Sequence, residues 1–417
     1  MKDVNIYIVT EVRRGADYGI GTYIEQLITC LRNSKIRVSL LRLFVPRKAE
    51  MTITYRGDGV QQIDIPSSAY TPDNITRYYR NIAYLLKDAC TLKGQIIFHF
   101  NFITDFQLIS TLQSVLNAKI ILTYHFSDWS FLLYGNFNQL LKIIHKRQDQ
   151  RTAFENTIYN SICQTRETLN QVDHIICIAQ HSQQTLQYLF KPRTDKISII
   201  PNGIQDVYNK QDENDSCVKE KIRKKYHIPL DAKVILFAGR LDFVKGISYL
   251  IEACKKIFPD YPQAHLFLIG EGDFAHWYNF VSEYWMQISF TGKLSQKQLY
   301  DFYRIADIGV CPSLYEEFGL VAIEMMMQKC PLITTQTSGL AESVIDNITG
   351  LTIPIHQTDA EIVVDIDELS NKIRFLLENP CVAQNLAYNA RKRFERHYQL
   401  PIFKKRMIDL YYNIGNK

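Results

Sequence analysis

The chain has no apolar run long enough to cross a bilayer, and its cysteines do not pair at metal-ligand spacing. The nine cysteines in 417 residues are scattered singly and are odd in number. A membrane-spanning helix needs about 20 consecutive apolar residues, and most of these cysteines lie within apolar runs, where a thiol behaves as a small hydrophobe. Since the sequence passes from Met1 directly into a strand pattern without a signal-peptide core, we expect a reduced, cytoplasmic protein.

Strong charge of one sign is also missing. The formal net charge is +5, charged residues make up 22% of the chain, and no run of six like charges occurs. No basic stretch carries the interleaved aromatic residues typical of an RNA-binding surface. This composition argues against nucleic acid as a partner and is compatible with small anionic ligands.

The length and the alternation of elements predict two α/β domains. Short apolar strands alternate with amphipathic helices in both halves, and the polar, charged stretch 205–231 separates them. We predict an N-terminal domain over 1–205, a second domain over 206–395, and a final helix over 396–417. The strands predicted from the pattern are Asn5–Thr10, Arg37–Phe44, Ile96–Phe100, Lys119–Tyr124, His174–Ile178, Lys196–Ile200, Val234–Ala238, His265–Ile269, Ile288–Thr291, Ile308–Cys311 and Leu332–Thr334.

The first segment that indicates chemistry is 234–246, an apolar strand that ends in glycine and leads into a helix. It places Arg240 and Lys245 on the connecting loop. Two fixed cations beside a helix N-terminus suit a diphosphate. We therefore predict an anion site here, against the alternative of two solvated surface cations.

The second segment, 311–324, contains Glu316 and Glu324 on either side of a Phe-Gly-Leu helix start. Carboxylates accept hydrogen bonds from hydroxyl groups. The backbone N–H groups of Phe318, Gly319 and Leu320 open the helix and can donate to a sugar or a phosphate. Together the two segments fit a ligand that has phosphates and sugar hydroxyls.

In order and spacing, these segments resemble the retaining glycosyltransferases of the GT-B fold, often called family 4. The resemblance covers nearly the whole chain. Each motif alone is weak, and their combination is specific. The motifs that carry it are Gly19–Tyr23, Lys196–Ile204, Gly239–Gly246, Leu268–Gly272, Phe290–Gly292, Pro312–Glu324, Ser338–Glu342 and Thr349–Leu351.

The resemblance implies an α/β fold of the GT-B type, with two doubly wound Rossmann-like domains facing across a cleft and a C-terminal helix crossing back to the first domain. It assigns the diphosphate to Arg240 and Lys245, sugar hydroxyls to Glu316, and ribose hydroxyls to Glu324. Gly19 and Gly21 are expected to form a tight turn that lets the backbone approach phosphate closely. Further donor-binding positions are Gly19, Gly21, Phe318, Gly319, Leu320, Gly292, Lys293 and Leu294, the last three beside the base.

His125 follows a strand and resembles a histidine that contacts the transferred sugar or assists the acceptor. The resemblance therefore groups His125 with Glu316, Arg240 and Lys245 as the catalytic set. His99 is a second candidate at a strand end, and His181 is expected to be structural.

The chain departs from the family pattern at several positions. Glu317 stands where a small residue is usual, and we expect it to be a solvent-facing or supporting group. Met325, Met326, Met327, Gln328 and Lys329 replace the alanines and the glycine that often follow the second glutamate. These changes leave the donor-binding groups in place.

The resemblance implies transfer with retention of anomeric configuration. No dedicated carboxylate motif in the first half would supply a nucleophile, so we favour front-face substitution in which the departing phosphate takes the acceptor proton. The pair Asp365 and Asp367 fits a metal motif formally but is expected in a loop far from the diphosphate segment. We predict no metal requirement and no cofactor beyond the nucleoside-diphosphate-sugar donor.

The acceptor is left open as a glycan, a lipid-linked glycan or a peptide. Residues 129–150 combine an apolar patch with a basic amphipathic helix, which could contact the inner face of a membrane or be an ordinary surface helix.

Two other function classes compete with the transferase. One is an enzyme of the same shape, either a sugar-nucleotide epimerase or a phosphorylase, although no phosphorylase cofactor lysine or phosphate site is evident. The other is a non-catalytic protein that binds a carbohydrate or a partner. The joint presence of Arg240, Lys245, Glu316 and Glu324 argues against loss of catalysis.

Overall fold

A computed structural model describes residues 3–12, 19–32, 34–46, 48, 50–67, 74–89, 94–208, 216–359 and 361–415. Two compact units divide the chain. The first comprises Met1–Trp129, Ile143–Gln205 and Leu400–Lys417, and the second comprises Ser130–Lys142 and Asp206–Gln399.

The first unit is built on an eight-stranded sheet in the order β3-β4-β2-β1-β5-β6-β7-β8, parallel except for the edge strand β3. Its strands are β1 Val4–Glu11, β2 Arg37–Val45, β3 Thr52–Tyr55, β4 Gln61–Pro66, β5 Gln95–Phe100, β6 Lys119–Tyr124, β7 His174–Cys177 and β8 Ile197–Ile199. The helices from the N-terminus to residue 190 are α1 Gly19–Leu31, α2 Ile75–Ala89, α3 Phe106–Leu116, α4 Asp128–Leu132, α5 Phe137–His145, α6 Ala153–Gln171 and α7 Gln180–Phe190. The central strands are buried on both faces, which explains their continuous apolar sequences.

The second unit has a six-stranded parallel sheet in the order β11-β10-β9-β12-β13-β14. Its strands are β9 Lys233–Ala238, β10 Ala264–Ile269, β11 Ile288–Gly292, β12 Ile308–Cys311, β13 Leu332–Thr335 and β14 Leu351–Ile353, with an antiparallel hairpin of β15 Ile355–Gln357 and β16 Ile362–Val364. The later helices are α8 Ser216–Lys225, α9 Ile247–Lys255, α10 Phe274–Val281, α11 Gln296–Ile305, α12 Leu320–Met327, α13 Ser338–Ser343, α14 Ile366–Glu378, α15 Pro380–His397 and α16 Leu400–Gly415.

The last helix, α16, returns to the first unit. Phe403, Met407 and Tyr411 are buried in the same core as Ile6 of β1 and Leu27 of α1. These residues lie on one stripe of the helix, so the amphipathic pattern specifies the face that packs. The predicted return of the C-terminal helix to the first domain is confirmed.

Some local predictions were wrong. Gly19 and Gly21 were expected to form a turn, but α1 begins at Gly19 and includes both. The helical spacing of Ile24, Leu27 and Ile28 extends backward through the glycines, because a glycine near a helix end costs little compared with the packing of the apolar face. Residues 13–18, which precede this helix, lie outside the described residues.

The predicted Asp365 and Asp367 loop is instead a helix start. Asp365 is the N-cap of α14, where its side chain accepts a hydrogen bond from the Glu368 N–H at 2.9 Å. Asp367 pairs with Lys256 at 2.5 Å. The spacing of the aspartates therefore serves helix capping and a surface ion pair.

Residues 130–142 pack within the second unit although they come from the first half of the chain. The Asn136 amide donates to the Thr358 carbonyl at 2.9 Å, and Lys142 pairs with Asp359 at 2.6 Å. This segment begins within α4, after β6. Its position depends on contacts between residues more than two hundred positions apart in sequence, which no local pattern predicts.

Candidate active site

Four neighbouring strands of the second unit, β11, β10, β9 and β12, carry the predicted donor-binding segments at their carboxyl ends. The chain order runs from β9 to β11 on one side and from β12 onward on the other. Loops that leave β9 and β12 therefore diverge, and such a switch point in a doubly wound sheet forms a ligand-binding crevice. The donor-binding candidates predicted from the sequence lie in or directly after these loops.

The loop after β9 is shaped by Asp242. Its side chain caps a short helical turn by accepting a hydrogen bond from the Lys245 N–H at 3.2 Å, and its other oxygen pairs with Arg240 at 3.0 Å. The Arg240 side chain keeps 40% of its surface exposed. One aspartate thus orders the loop and holds the guanidinium in place while leaving much of it accessible to a ligand.

Gly246 joins this loop to the loop after β12. Its φ is +68°, and a Cβ added there would lie 1.9 Å from the carbonyl oxygen of Pro312. Only glycine permits both this conformation and this approach. Close beside it, the Leu314 N–H donates to the Val244 carbonyl at 2.8 Å.

Contact between the two loops brings Lys245 and Glu316 together. The lysine Nζ lies 2.5 Å from the glutamate Oε2, and both side chains remain about one-fifth exposed. The backbone of Glu316 is fixed because its carbonyl accepts the Gly339 N–H at 2.8 Å. Two predicted site residues 71 positions apart therefore form one ion pair that a ligand can reach.

Of the two roles expected for Glu317, solvent-facing or supporting, the structure shows the supporting one. It is only 8% exposed, and the Tyr315 hydroxyl donates a hydrogen bond to it. A carboxylate buried this far needs such a donor. Glu317 therefore stabilises the loop from its buried side, and Glu316 is the accessible carboxylate of the same loop.

The helix α12 begins directly after this loop. Gly319 adopts φ +85° as its N-cap, and an added Cβ would lie 2.6 Å from the Leu340 side chain. The first N–H groups of a helix have no partner within that helix. Phe318, Gly319 and Leu320 thus place donors at the positive end of the helix dipole, beside Glu316.

Glu324 lies further along α12, facing a tyrosine. The Tyr303 hydroxyl donates to Glu324 Oε2 at 3.1 Å. Burial raises the pKa of Glu324 to about 7, and the hydrogen bond from Tyr303 offsets part of this rise. The carboxylate therefore has unused hydrogen-bonding capacity in a poorly solvated position, which suits the binding of ligand hydroxyls.

Replacing Glu324 with glutamine is expected to remove a pH-dependent loss of stability. Burial raises the pKa of Glu324 from its ordinary value of 4.5 to about 7 in the folded protein. The contribution of protonated Glu324 to the free energy of unfolding is therefore full below pH 4.5 and is lost as the pH rises through 7. Because Glu324 is partly exposed, we expect a reduced effect: relative to wild type, the free energy of unfolding of the variant rises by roughly 1–2 kcal/mol between pH 4 and pH 8. Urea unfolding at several pH values measures this gain, with the exposed Glu283→Gln as control. Parallel curves for wild type and Glu324→Gln would contradict it.

The ends of β10 and β11 complete this edge of the sheet. Gly270 approaches Gly239 so closely that an added Cβ would lie 1.7 Å from the Gly239 oxygen. Gly292 ends β11 at φ +72° and has open space beside it. Lys293 is exposed and Leu294 is partly buried after this turn. The three predicted base-flanking residues thus end or follow a strand at the same edge of the sheet as Arg240.

In the first unit, His125 follows β6 and is 8% exposed. Its Nε2 lies 3.3 Å from the oxygen of the Asn101 amide, whose nitrogen donates to the His99 carbonyl. Burial lowers the pKa of His125 to about 3. The imidazole is therefore neutral near pH 7, with its proton on Nε2, in a small cavity that also contains Ser127 and Asp128.

His99 is not available for substrate. It is fully buried, its Nδ1 lies 2.5 Å from the Tyr411 hydroxyl, and its Nε2 lies 2.6 Å from the Thr123 hydroxyl. Both ring nitrogens are used within the core of the first unit. The prediction of His99 as a second site candidate was wrong, because a strand-end position did not reveal the covering helix α16.

Gly19 and Gly21 lie in the first turn of α1, after β1. Both are partly or fully exposed. Their N–H groups belong to the start of a helix, so they remain able to donate to an anion without adopting a special turn.

Sequence reasoning missed three residues that shape these sites: Asp242, Tyr303 and Asn101. A signal existed for Asp242, since an aspartate three residues before Lys245 fits an N-cap. Tyr303 and Asn101 act through contacts with residues distant in sequence and left no local signal. Among the described residues, no group of three or more histidine, cysteine, aspartate or glutamate side chains could hold a metal ion. No helix in the described parts of the chain is long and apolar enough to span a bilayer.

Two family models match the chain in succession. The model of glycosyltransferase family 4 matches residues 18–207, and the model of glycosyl transferases group 1 matches residues 218–393. An uncharacterized glycosyltransferase of Methanocaldococcus jannaschii is 27% identical over 247 residues, which cover 57% of this chain. The aligned segment spans 59% of that relative's length.

Solved structures share the fold over almost the full length. Sucrose-phosphate synthase from Thermosynechococcus elongatus has a TM-score of 0.74 at 21% identity and covers 99% of each chain. Anabaena HepE, solved in complex with UDP-glucose, has a TM-score of 0.71 at 14% identity and covers 98% of this chain and 99% of its own. The fold is GT-B, and this chain belongs to the group 1, family 4 glycosyltransferases.

Proposed function

We propose that this protein transfers a sugar from a nucleoside-diphosphate sugar to a hydroxyl acceptor, with retention of anomeric configuration and without a metal ion. The observation that carries the proposal is the accessible Lys245–Glu316 ion pair at 2.5 Å, beside the amides that open α12. HepE, a structural neighbour, was solved with UDP-glucose, which supports a donor of this class.

The ion pair suggests how the donor is bound. In the free protein, Glu316 neutralises Lys245. A diphosphate beside Arg240 and Lys245 would provide stronger charge-assisted contacts for the lysine. Glu316 would then be released to accept hydrogen bonds from hydroxyls of the transferred sugar, while Glu324 accepts those of the ribose.

The transfer step conserves atoms and charge as follows. The bond between the anomeric carbon and the diphosphate oxygen breaks, and the acceptor oxygen bonds to the same face of that carbon. The acceptor proton goes to the departing phosphate oxygen. Arg240, Lys245 and the α12 amides stabilise the negative charge that grows on the leaving group, which is the main electrostatic contribution to the rate.

The proposal is tested by incubating the protein with UDP-, GDP-, ADP- and dTDP-sugars and a panel of glycan, lipid-linked and peptide acceptors. Release of one nucleoside diphosphate supports the proposal if NMR also shows that the new glycosidic linkage has the same anomeric configuration as the donor. Unchanged turnover in EDTA is expected. A product of inverted configuration contradicts retention, and conversion of the donor without nucleotide release indicates an epimerase.

His125→Asn is expected to lower kcat by roughly 10- to 100-fold with little change in the KM for donor. The reason is that the neutral imidazole, whose Nε2–H faces the Asn101 oxygen, can accept one hydrogen bond from the reacting sugar at Nδ1, an interaction needed most in the transition state. Because burial holds the pKa of His125 near 3, the wild-type rate should show no titration of this group above pH 5. If the wild-type rate changes with pH around 6.5 and this change disappears in His125→Asn, the assignment of His125 as a neutral imidazole is contradicted.

Contact with a membrane remains a prediction. Leu140 and Ile143, on the apolar side of the predicted amphipathic helix, are buried in the protein. Phe131, Leu132 and Tyr134 just before it are exposed by 40%, 39% and 47%. Sedimentation with anionic vesicles tests the contact, with Phe131→Ser as the variant expected to bind less.

A further inference from the structure

The second unit contains a cavity at the edge of its sheet opposite to the candidate active site. Its volume is about 400 Å³. Lys233, which begins β9, lines it together with Asp307 and Pro331, which precede β12 and β13. The donor-site residues follow the other ends of these same strands, so the cavity is a separate site.

The charge of the cavity wall is strongly positive. Lys219, Lys233, Arg304 and Lys329 line it, against one acidic residue, Asp307. That aspartate already accepts the Val234 N–H at 2.7 Å and pairs with Arg223 at 3.4 Å. Within the part of the chain that the structure describes, Lys219 and Lys233 have no carboxylate at ion-pair distance. The wall is therefore suited to an anion.

A buried donor in the same wall has no partner. Gln328 is 2% exposed, and its Oε1 accepts a hydrogen bond from Arg304 Nε at 3.1 Å. Because arginine can only donate, this bond fixes the orientation of the amide. The Gln328 Nε2 is then left without a hydrogen-bond partner among the described residues. Buried amide groups are rarely left unpaired, so the oxygen of a ligand or of an ordered water is expected at this point.

Lys329 is the residue that sets this chain apart. It stands where the family often has glycine, and it adopts the left-handed conformation that glycine favours, with φ +56°. Its Nζ lies 5.5 Å from the ring centre of Tyr208 and 5.4 Å from that of Tyr388, both of which line the cavity. A lysine kept at an unfavourable backbone position and placed between two rings indicates that its charge is used.

The helix α15 adds to the anion preference. Pro380 at its first position and Gln384 one turn later line the cavity. The N-terminus of this 18-residue helix carries a positive partial charge, although Pro380 has no N–H and the Ala383 N–H donates to the Asn379 carbonyl. The cavity thus combines four cations, a helix N-terminus and an unpaired amide donor.

We propose that this cavity binds a small phosphate monoester that also has hydroxyl groups, such as a sugar phosphate. The phosphate has negative charge for the basic wall that includes Lys219 and Lys233, and an acceptor oxygen for Gln328 Nε2. The hydroxyls suit Gln384 and the two tyrosines. The volume is within the range of sites that enclose a ligand of this size.

The test is calorimetric titration of the full chain with glucose 6-phosphate, inorganic phosphate and glucose. Glucose 6-phosphate is expected to bind, and glucose is not. Lys329→Gly should weaken the binding at least 10-fold without harming the fold, since glycine is the residue best suited to φ +56°. Gln328→Leu is expected to weaken it by a similar factor. Lys256→Gln, which changes a lysine that does not line the cavity, should have no effect.

A further variant separates this cavity from the donor site. If glucose 6-phosphate binds in the cavity, Arg240→Ala should leave its affinity unchanged. If Arg240→Ala reduces the affinity, glucose 6-phosphate occupies the donor site and the proposal is overturned. Equal affinity in wild type and Lys329→Gly, or no binding at 10 mM ligand, also overturns it. If inorganic phosphate binds as tightly as glucose 6-phosphate, the cavity is an anion site, but the proposal that it recognises a phosphate monoester with hydroxyl groups is overturned.

Discussion

Lys245→Met is expected to weaken the binding of a nucleoside diphosphate by roughly 10- to 150-fold. The substitution keeps most of the aliphatic length and removes the charge that pairs with Glu316 at 2.5 Å. Loss of one charge-assisted contact to phosphate costs about 1.5–3 kcal/mol, which corresponds to that range. A larger effect is expected on kcat, by about 100- to 1,000-fold, because charge on the leaving group grows in the transition state.

The matched control for this prediction is Lys256→Met. Lys256 forms an ion pair of the same length, 2.5 Å, with Asp367, just after the helix that follows Lys245. The two variants lose the same charge from the same unit, so a general electrostatic effect would weaken binding equally in both. Equal affinities for the nucleotide in Lys245→Met and Lys256→Met would contradict the role assigned to Lys245.

Gly246→Ala is expected to destabilise the second unit by more than about 3 kcal/mol. The new Cβ would lie 1.9 Å from the Pro312 oxygen, and alanine is strained at φ +68°. Relief requires the loop after β9 to move away from the loop after β12, which separates Lys245 from Glu316. Stability and donor binding are therefore lost together.

Urea unfolding followed by tryptophan fluorescence measures this effect. Two of the three tryptophans, Trp277 and Trp285, lie in the second unit. Gly292→Ala is the control, since Gly292 has a similar φ of +72° but nothing within 4 Å of an added Cβ. The control should cost only about 1 kcal/mol of backbone strain. An equal loss of stability in both variants would show that contact with Pro312 is unimportant.

Strands and their loops were predictable because their signals are local. The strand Lys233–Ala238 consists of one lysine and a continuous apolar run followed by a glycine, and its start was predicted within one residue. Arg240 and Glu316 could be placed after strands for the same reason. The strands β3, β4, β14, β15 and β16 were missed, because each is short and gives too few residues for a clear period.

Contacts between distant residues could not be predicted from the sequence. The approach of Gly246 to Pro312 depends on how two loops pack, and no pattern near either residue shows it. His99 looked like His125 in sequence, since both follow or end a buried strand. Only the position of Tyr411 on α16 shows that one histidine is part of a core.

The methionines after Glu324 also depend on distant packing. Met325 is fully buried, and a Cβ added to Gly309 of β12 would lie 2.5 Å from its sulfur. The glycine in the strand thus makes room for a side chain larger than the family's usual alanine. The departure from the family pattern at Met325 is compensated by Gly309 and does not disturb Glu324.

The measurement that tests the central claim most directly is calorimetric titration of wild type and Arg240→Ala with UDP, GDP, ADP and dTDP. The guanidinium of Arg240 is held by Asp242 at 3.0 Å and remains 40% exposed, ready for a diphosphate. We predict that wild type binds one of the four nucleotides and that Arg240→Ala binds it at least 10-fold more weakly. Binding of none of them, or the same affinity in both proteins, would contradict a nucleoside-diphosphate-sugar site at Arg240 and Lys245.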